Sequence, residues 1–210
     1  MVESKDKKAP DTESLILKAA EDEFFKRGYD GARTTAIAEA AGVTHAMLHY
    51  YFRTKEKLFE KIVSKNIESL KAIMLAAMGD EKLPLFERVR QGVEGHFDFI
   101  ASNPLFPRFI FNEVYSHPER YETIKNNLLG VAKPLLAELQ TQIDTFARRG
   151  ECRAVDARML LLDIVSVNIF PFIAEAVVGP LLGNLFEDKA GFLARRKAEN
   201  VETILRKLKP

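Results

Sequence analysis

Between Gly28 and Phe52 the chain reads Gly-Tyr-Asp-Gly-Ala-Arg-Thr-Thr-Ala-Ile-Ala-Glu-Ala-Ala-Gly-Val-Thr-His-Ala-Met-Leu-His-Tyr-Tyr-Phe. Its polar side chains are suited to meeting the edges and the phosphates of a nucleic acid. His45 can donate to or accept from a base edge, and Thr44 can cap a helix or touch a phosphate. Ala46 and Met47 offer the apolar contact that a thymine methyl takes, and His49 and Tyr50 follow on the same outward side. Thr34 and Thr35 open the preceding helical piece, where hydroxyls and free backbone N–H groups suit a phosphate. Thr54-Lys55 repeats that arrangement at the start of the next helix, with the Lys55 ammonium beside the cap.

Such side chains read bases only if a rigid pair of helices holds them, and the spacing supplies one. Two helices that cross closely need a small residue at the crossing, which Ala38 provides. Four residues later the turn needs a backbone that accepts positive φ, which Gly42 does without steric strain. Ile37, Ala41, Val43, Leu48 and Tyr51 fall at the inward positions expected to hold the pair together. The result is a helix-turn-helix whose second helix, His45–Phe52, would enter a major groove and present Thr44, His45, Ala46, Met47, His49 and Tyr50.

The rest of the chain also reads as helix. Over 210 residues, 31 Lys and Arg stand against 30 Asp and Glu, a net charge of +1. That balance excludes a protein that coats nucleic acid by bulk charge, but not a local basic face. From Arg33 to Lys65 there are six basic residues and three acidic ones, with most of the cations at Arg53 and beyond. Residues 1–10 read as a disordered arm. Helices are expected from an N-cap at Asp11 or Thr12 to Gly28, over Thr34–Ala41 and His45–Phe52, and from Thr54 to about Ala77. Further helices are expected over Leu83–Ser102, Pro104–Ser116, Pro118–Gly150, Val155–Leu182 and Glu187–Leu208. No segment alternates with period 2, so the fold class is all-α with about nine helices. The expected division is a three-helix DNA-binding domain over 11–70 and a larger ligand-binding and dimerisation domain over 71–210.

The second part is rich in phenylalanine, which is ordinary helical core or the wall of an apolar pocket carrying a few polar groups. Candidate pocket residues are His96, Phe99, Phe109, Asn112, Glu113, Asn168 and Phe172, with Tyr115 as a further polar member. Pro171 in mid-helix is expected to kink such a wall. The last two helices carry more apolar surface than one small body needs, as a four-helix dimer interface would. The most apolar stretch, Met159 to Leu185, is interrupted by Asp163, Asn168, Pro171, Glu175 and Pro180, so no membrane span is expected. The first residues, Met-Val-Glu-Ser-Lys-Asp-Lys-Lys, lack a signal peptide's apolar segment, and a cytoplasmic protein is expected.

An enzyme finds little support. There is no Gly-rich phosphate loop, no nucleophile elbow and no His-Glu-x-x-His pattern. Glu113-x-x-x-His117 and His96 have metal-ligating side chains, but His117 stands before Pro118 at a helix end. The single cysteine, Cys152, lies in a charged loop and reads as an incidental or a reactive thiol. No metal and no cofactor are expected.

The segment 11–65 resembles the N-terminal domain of the TetR family of bacterial transcription regulators. The resemblance rests on Leu-Ile-Leu-Lys-Ala-Ala (15–20), Phe24 to Gly28-Tyr29, Ile37-Ala38, Ala41-Gly42-Val43, Leu48, Tyr50-Tyr51-Phe52, Lys55-Glu56 and Leu58. It implies DNA contact by Thr34, Thr35, Thr44, His45, Ala46, His49, Tyr50 and Lys55. Three positions depart from the family pattern. Arg33 replaces the usual Ser or Thr cap and adds a phosphate-binding cation. His49 stands where tyrosine is usual, which would make operator binding sensitive to pH near neutrality. Glu13 replaces a common basic residue. The resemblance implies a homodimeric repressor that binds a palindromic operator in double-stranded DNA and is released by a small apolar or amphipathic effector. The alternative is a helical ligand-binding or protein-interaction module whose helix-turn-helix is structural only.

Overall fold

Residues 11–79 and 83–210 are described by a computed structural model; the expected N-terminal arm, residues 1–10, lies outside them. Among the described residues there are nine α-helices and no strand: α1 (Thr12–Gly31), α2 (Thr34–Ala40), α3 (His45–Tyr51), α4 (Lys55–Gly79), α5 (Leu85–Ser102), α6 (Phe106–Ser116), α7 (Pro118–Arg148), α8 (Ala157–Val178) and α9 (Lys189–Leu208). Two short 3-10 turns, Gly179–Leu181 and Gly183–Phe186, join α8 to α9. Packing divides the chain into two compact units, between Ser64 and Lys65.

The first unit closes on a small aromatic core. Ile16, Ala20 and Phe24 of α1, Ile37 and Ala38 of α2, Leu48 of α3 and Leu58, Phe59 and Ile62 of α4 are all buried. Phe24 packs edge-on to Phe59 with centroids 5.7 Å apart, and Tyr29 closes the trio at 5.1 Å from Phe59. Asp11 is the N-cap of α1, its carboxylate accepting from the Ser14 N–H at 2.7 Å, which satisfies one orphan donor of the first turn. Gly28 does not end α1 as expected; it is a non-helical step, after which the helix resumes to Gly31.

The second unit packs α5, α7, α8 and α9 around one core. Leu85, Val89 and Val93 recur every fourth residue on α5, as do Leu135, Leu139 and Ile143 on α7. Leu160 and Ile164 of α8 meet them, with Val201, Ile204, Leu205 and Leu208 of α9. These are the i, i+3, i+4 stripes of amphipathic helices. Cys152 belongs to this core: it is buried, its Sγ donates to the Ile143 carbonyl at 3.6 Å, and burial raises its thiol pKa. A thiolate is the reactive form, so the reactive-thiol reading is set aside.

Pro171 does not break α8, which runs continuously from Ala157 to Val178. A proline lacks the N–H that would bond the carbonyl four residues earlier, here Val167. Asn200 of α9 fills the gap, its Nδ2 donating to that carbonyl at 3.0 Å. The same amide nitrogen donates to Asn168 Oδ1 at 2.8 Å. Asn168 Nδ2 in turn donates to the Val93 carbonyl at 3.0 Å and to His96 Nδ1 at 3.1 Å. His96, Asn168 and Asn200 are all buried, so this chain of amides ties α5, α8 and α9 together inside the core.

Ala157–Leu181 is also long and apolar enough to cross a membrane, by length and composition alone. One side of it is committed to the core just described. The other side, with Met159, Leu162, Phe170, Ile173 and Val177, is exposed.

Candidate functional site

The α2–α3 unit forms as its spacing requires. Gly42 takes φ +67 with Val43 N–H donating to the Ala38 carbonyl and Gly42 N–H to the Glu39 carbonyl, each at 3.0 Å. That pair of bonds ends α2 in a Schellman motif and turns the chain by a fixed angle into α3. A side chain at position 42 would meet no neighbour, so the demand for glycine is conformational alone. Thr44 caps α3, its hydroxyl accepting from the Met47 N–H at 3.2 Å. Leu48 is the fully buried anchor of α3, and Phe52 joins it. Tyr51, expected inward, is 41% exposed and stacks edge-on against Tyr50 at 5.5 Å. The inward aromatic is its neighbour Phe52, because α3 ends at Tyr51 and the extended backbone at Phe52 turns that ring back onto the core.

On the outer side of α3, Thr44, His45, Ala46, Met47, His49 and Tyr50 are all exposed, with Tyr50 the most so at 83%. The i, i+4 pairs His45/His49 and Ala46/Tyr50 make two parallel rows, as on any helix face. The two imidazoles are packed edge to face, 4.4 Å between centroids. His45 Nε2 is hydrogen-bonded to Thr34 Oγ1 at 3.0 Å, and His49 Nδ1 donates to the Arg53 carbonyl at 3.3 Å. Thr35 and Arg33 are exposed beside them. Arg33 is the N-cap of α2 without any side-chain cap bond, and its N–H is met by Glu23 Oε1 at 3.2 Å instead. Lys55 stands over the Tyr29 ring at 4.6 Å and donates to the Asp30 carbonyl at 3.5 Å, which orients its ammonium.

The second unit carries a partly open apolar cavity of about 380 Å³. Leu70, His96 and Ile100 form one side, and Phe106, Pro107, Ile110, Phe111, Val114 and Tyr115 of α6 form a second. Tyr121 and Leu128 of α7, with Val165 and Ile169 of α8, complete it. Of the expected pocket residues, His96 lines this cavity, as does Tyr115. The others serve the body in different ways. Phe99 is buried against Phe106, edge-on at 5.8 Å, and Phe109 is buried. Asn112 is exposed, and Phe172 packs against Phe97 at 5.8 Å. Glu113 is buried in an ion pair with Arg120 Nε at 3.0 Å that clamps α6 to α7, which removes it from a metal site with His117. Asn168 stands behind His96 in the amide chain. Among the described residues no group of three or more metal-ligating side chains gathers.

The expected pocket residues were three phenylalanines and four polar side chains, with Tyr115 as a further member, and of these His96 and Tyr115 line this cavity. The usable signal was face rather than polarity: His96/Ile100, Ile110/Val114 and Val165/Ile169 are i, i+4 pairs on three helices. Phe111, Val165 and Ile169 are shared with a more open apolar depression of about 470 Å³ on the outer side of α8, bordered by Leu162, Phe170, Ile173 and Arg196. Cavity and outer face therefore have a common wall.

Residues 16–62 match the family described as bacterial regulatory proteins, tetR family, and residues 86–204 match the tetracyclin repressor-like C-terminal domain. The chain is similar to the HTH-type transcriptional regulator RutR of Escherichia coli strain K12, 29% identical over 197 residues, covering 90% of this chain and 86% of RutR. It is also similar to the HTH-type transcriptional activator FasR of Mycolicibacterium smegmatis, 27% identical over 158 residues, covering 73% of this chain and 67% of FasR. The fold matches that of HlyIIR, a hemolysin II transcriptional regulator, with a TM-score of 0.62 at 22% identity over 90% of this chain and 96% of that one. These relatives are transcription regulators rather than enzymes, which sets aside a helix-turn-helix that is structural only. An exposed row of side chains on a helix-turn-helix, joined to a helical body, is the anatomy of a DNA-binding transcription regulator, and this chain belongs to the TetR family.

Proposed function

We propose that the protein is a homodimeric repressor that binds a palindromic operator and leaves it when a small apolar or amphipathic effector enters the cavity of the second unit. The observation that carries the DNA half of this reading is the outward row on α3. His45, Ala46, Met47 and Tyr50 would meet base edges, while Arg33, Thr34, Thr35, Thr44, His49 and Lys55 would hold phosphates. One such helix reads too few base pairs to choose a single site. Two of them, about 34–36 Å apart in a dimer, read successive major grooves of a palindrome.

A second copy is the occupant we assign to the exposed apolar side of α8. Family members bind operators and dimerise, and an isologous pairing of this face needs no second patch. The effector reading rests on the cavity's apolar lining and on its common wall with that face. An occupant that moves Val165, Ile169 or Phe111 alters the surface on which the partner rests. Release follows when the effector binds better to a body arrangement in which the two heads are wrongly spaced. The regulator would act in the cytoplasm without a metal or cofactor.

Transcription in vitro from a promoter carrying the operator separates the two possible signs: transcript falls with added protein if this is a repressor, and a rise overturns that reading. Operator affinity should drop steeply with salt, as counterion release requires. His45→Ala should change which base is preferred at its contact, by about 1–2 kcal/mol at one position of each half-site. Lys55→Ala should weaken all sequences about equally. An unchanged preference after the His45 substitution removes that residue from base reading; selection of binding sites from a random DNA pool measures it.

A further inference from the structure

Among the described residues the cavity has one buried polar member, His96, and the fold decides what that group can offer. Among the described residues its only other polar lining members, Tyr115 and Tyr121, are exposed, and no acidic or basic side chain lines it. The Val167 carbonyl, left without a helical donor by Pro171, must receive an N–H, which fixes the orientation of the Asn200 amide. Asn200 Nδ2 then donates to Asn168 Oδ1, which fixes the second amide as well. Asn168 Nδ2 therefore faces His96 Nδ1 as a donor. A ring nitrogen that accepts a hydrogen bond carries no proton, so the neutral imidazole must carry it on Nε2. That nitrogen has no partner among the described residues.

We propose, building on the reading of this cavity as the effector site, that His96 Nε2–H is its hydrogen-bond donor and selects neutral, apolar molecules carrying a carbonyl-type acceptor oxygen. A cation would enter without a carboxylate to meet it, and an anion without an ammonium or guanidinium. A pure hydrocarbon would leave the donor unmet. The His96 ring stays neutral across physiological pH, since burial lowers its pKa to about 4.

Three probes of one shape test this on the full-length protein by titration calorimetry: benzophenone, diphenylmethane and benzhydrylammonium. Benzophenone should bind about tenfold more tightly than diphenylmethane, and the ammonium compound should not compete with it. In His96→Phe the order should reverse, because the ketone then loses its hydrogen bonds to water without replacement. Wild-type protein that binds the hydrocarbon as well as the ketone, or the cation as well as either, overturns the donor role while leaving the cavity a ligand site. Failure of both neutral probes to bind overturns the effector-cavity reading and this proposal with it. A second readout needs no variant: in protein labelled with 15N-histidine, His96 should show a bare Nδ1 and a protonated Nε2 whose resonance moves when benzophenone is added. The opposite tautomer overturns the proposal.

Discussion

Replacing Asn168 by leucine is expected to destabilise the protein by about 3 kcal/mol, among the larger effects a single substitution can have. Asn168 is fully buried and makes three hydrogen bonds, to the Val93 carbonyl, to His96 and from Asn200. Leucine has the same branched skeleton and larger end groups, so no cavity forms, and the loss comes from partners left dry and unpaired together with some crowding. His96 Nδ1 loses its donor, and Asn200 loses one of two acceptors. Fully satisfied buried networks stabilise, whereas a broken one is worse than none. The urea midpoint, compared at equal protein concentration because the protein is read as a dimer, measures the change. A shift below about 1 kcal/mol would show that the amide chain holds nothing together. Asn112→Leu, at an exposed position, should change stability by only about 0.5 kcal/mol.

Acid should weaken the fold in a window set by the same site. The folded state keeps His96 neutral down to about 4, whereas the unfolded chain accepts a proton at the ordinary value of 6.5. Between those values unfolding takes up a proton that folding must expel. Stability is therefore full above 6.5 and falls as the pH drops through the window, by about 3 kcal/mol in total. Carboxylates add their own dependence at lower pH, so the informative quantity is a difference between proteins. His96→Gln, which retains an acceptor for Asn168, should lack this part of the slope between pH 6.5 and 4.5. Parallel stability curves for the two proteins would sink the prediction.

What could be read from the chain, and what could not, follows the sequence separation of the partners. The helix-turn-helix was legible because its determinants are local. Ala38, Gly42 and Thr44 bond to residues within a turn or two, so residue type at fixed spacing settles the geometry. Even there, the exchange of Tyr51 for Phe52 turned on where α3 stops. That is decided by backbone angles that the hydrophobic pattern does not encode. The helices of the body were legible for the same reason, since proline, glycine and polar caps punctuate them. The cavity was not. Glu113, Asn168 and His96 look alike as polar residues in apolar stretches. Yet one is clamped by Arg120, one is held by residues far away in the sequence, and only the third lines the cavity. The partnership of Pro171 with Asn200 joins two helices and has no signature in either.

The wall formed by Phe111, Val165 and Ile169 has a further consequence. If one surface serves both an effector and a partner subunit, linkage makes the two equilibria reciprocal: whatever the effector does to pairing, pairing does to the effector in equal measure. The protein's own copy number then becomes part of its calibration. A cell holding few molecules, with more of them unpaired, would respond at a different effector level from a cell holding many. Regulation of its own gene would shift the threshold of the response as well as the amount of regulator.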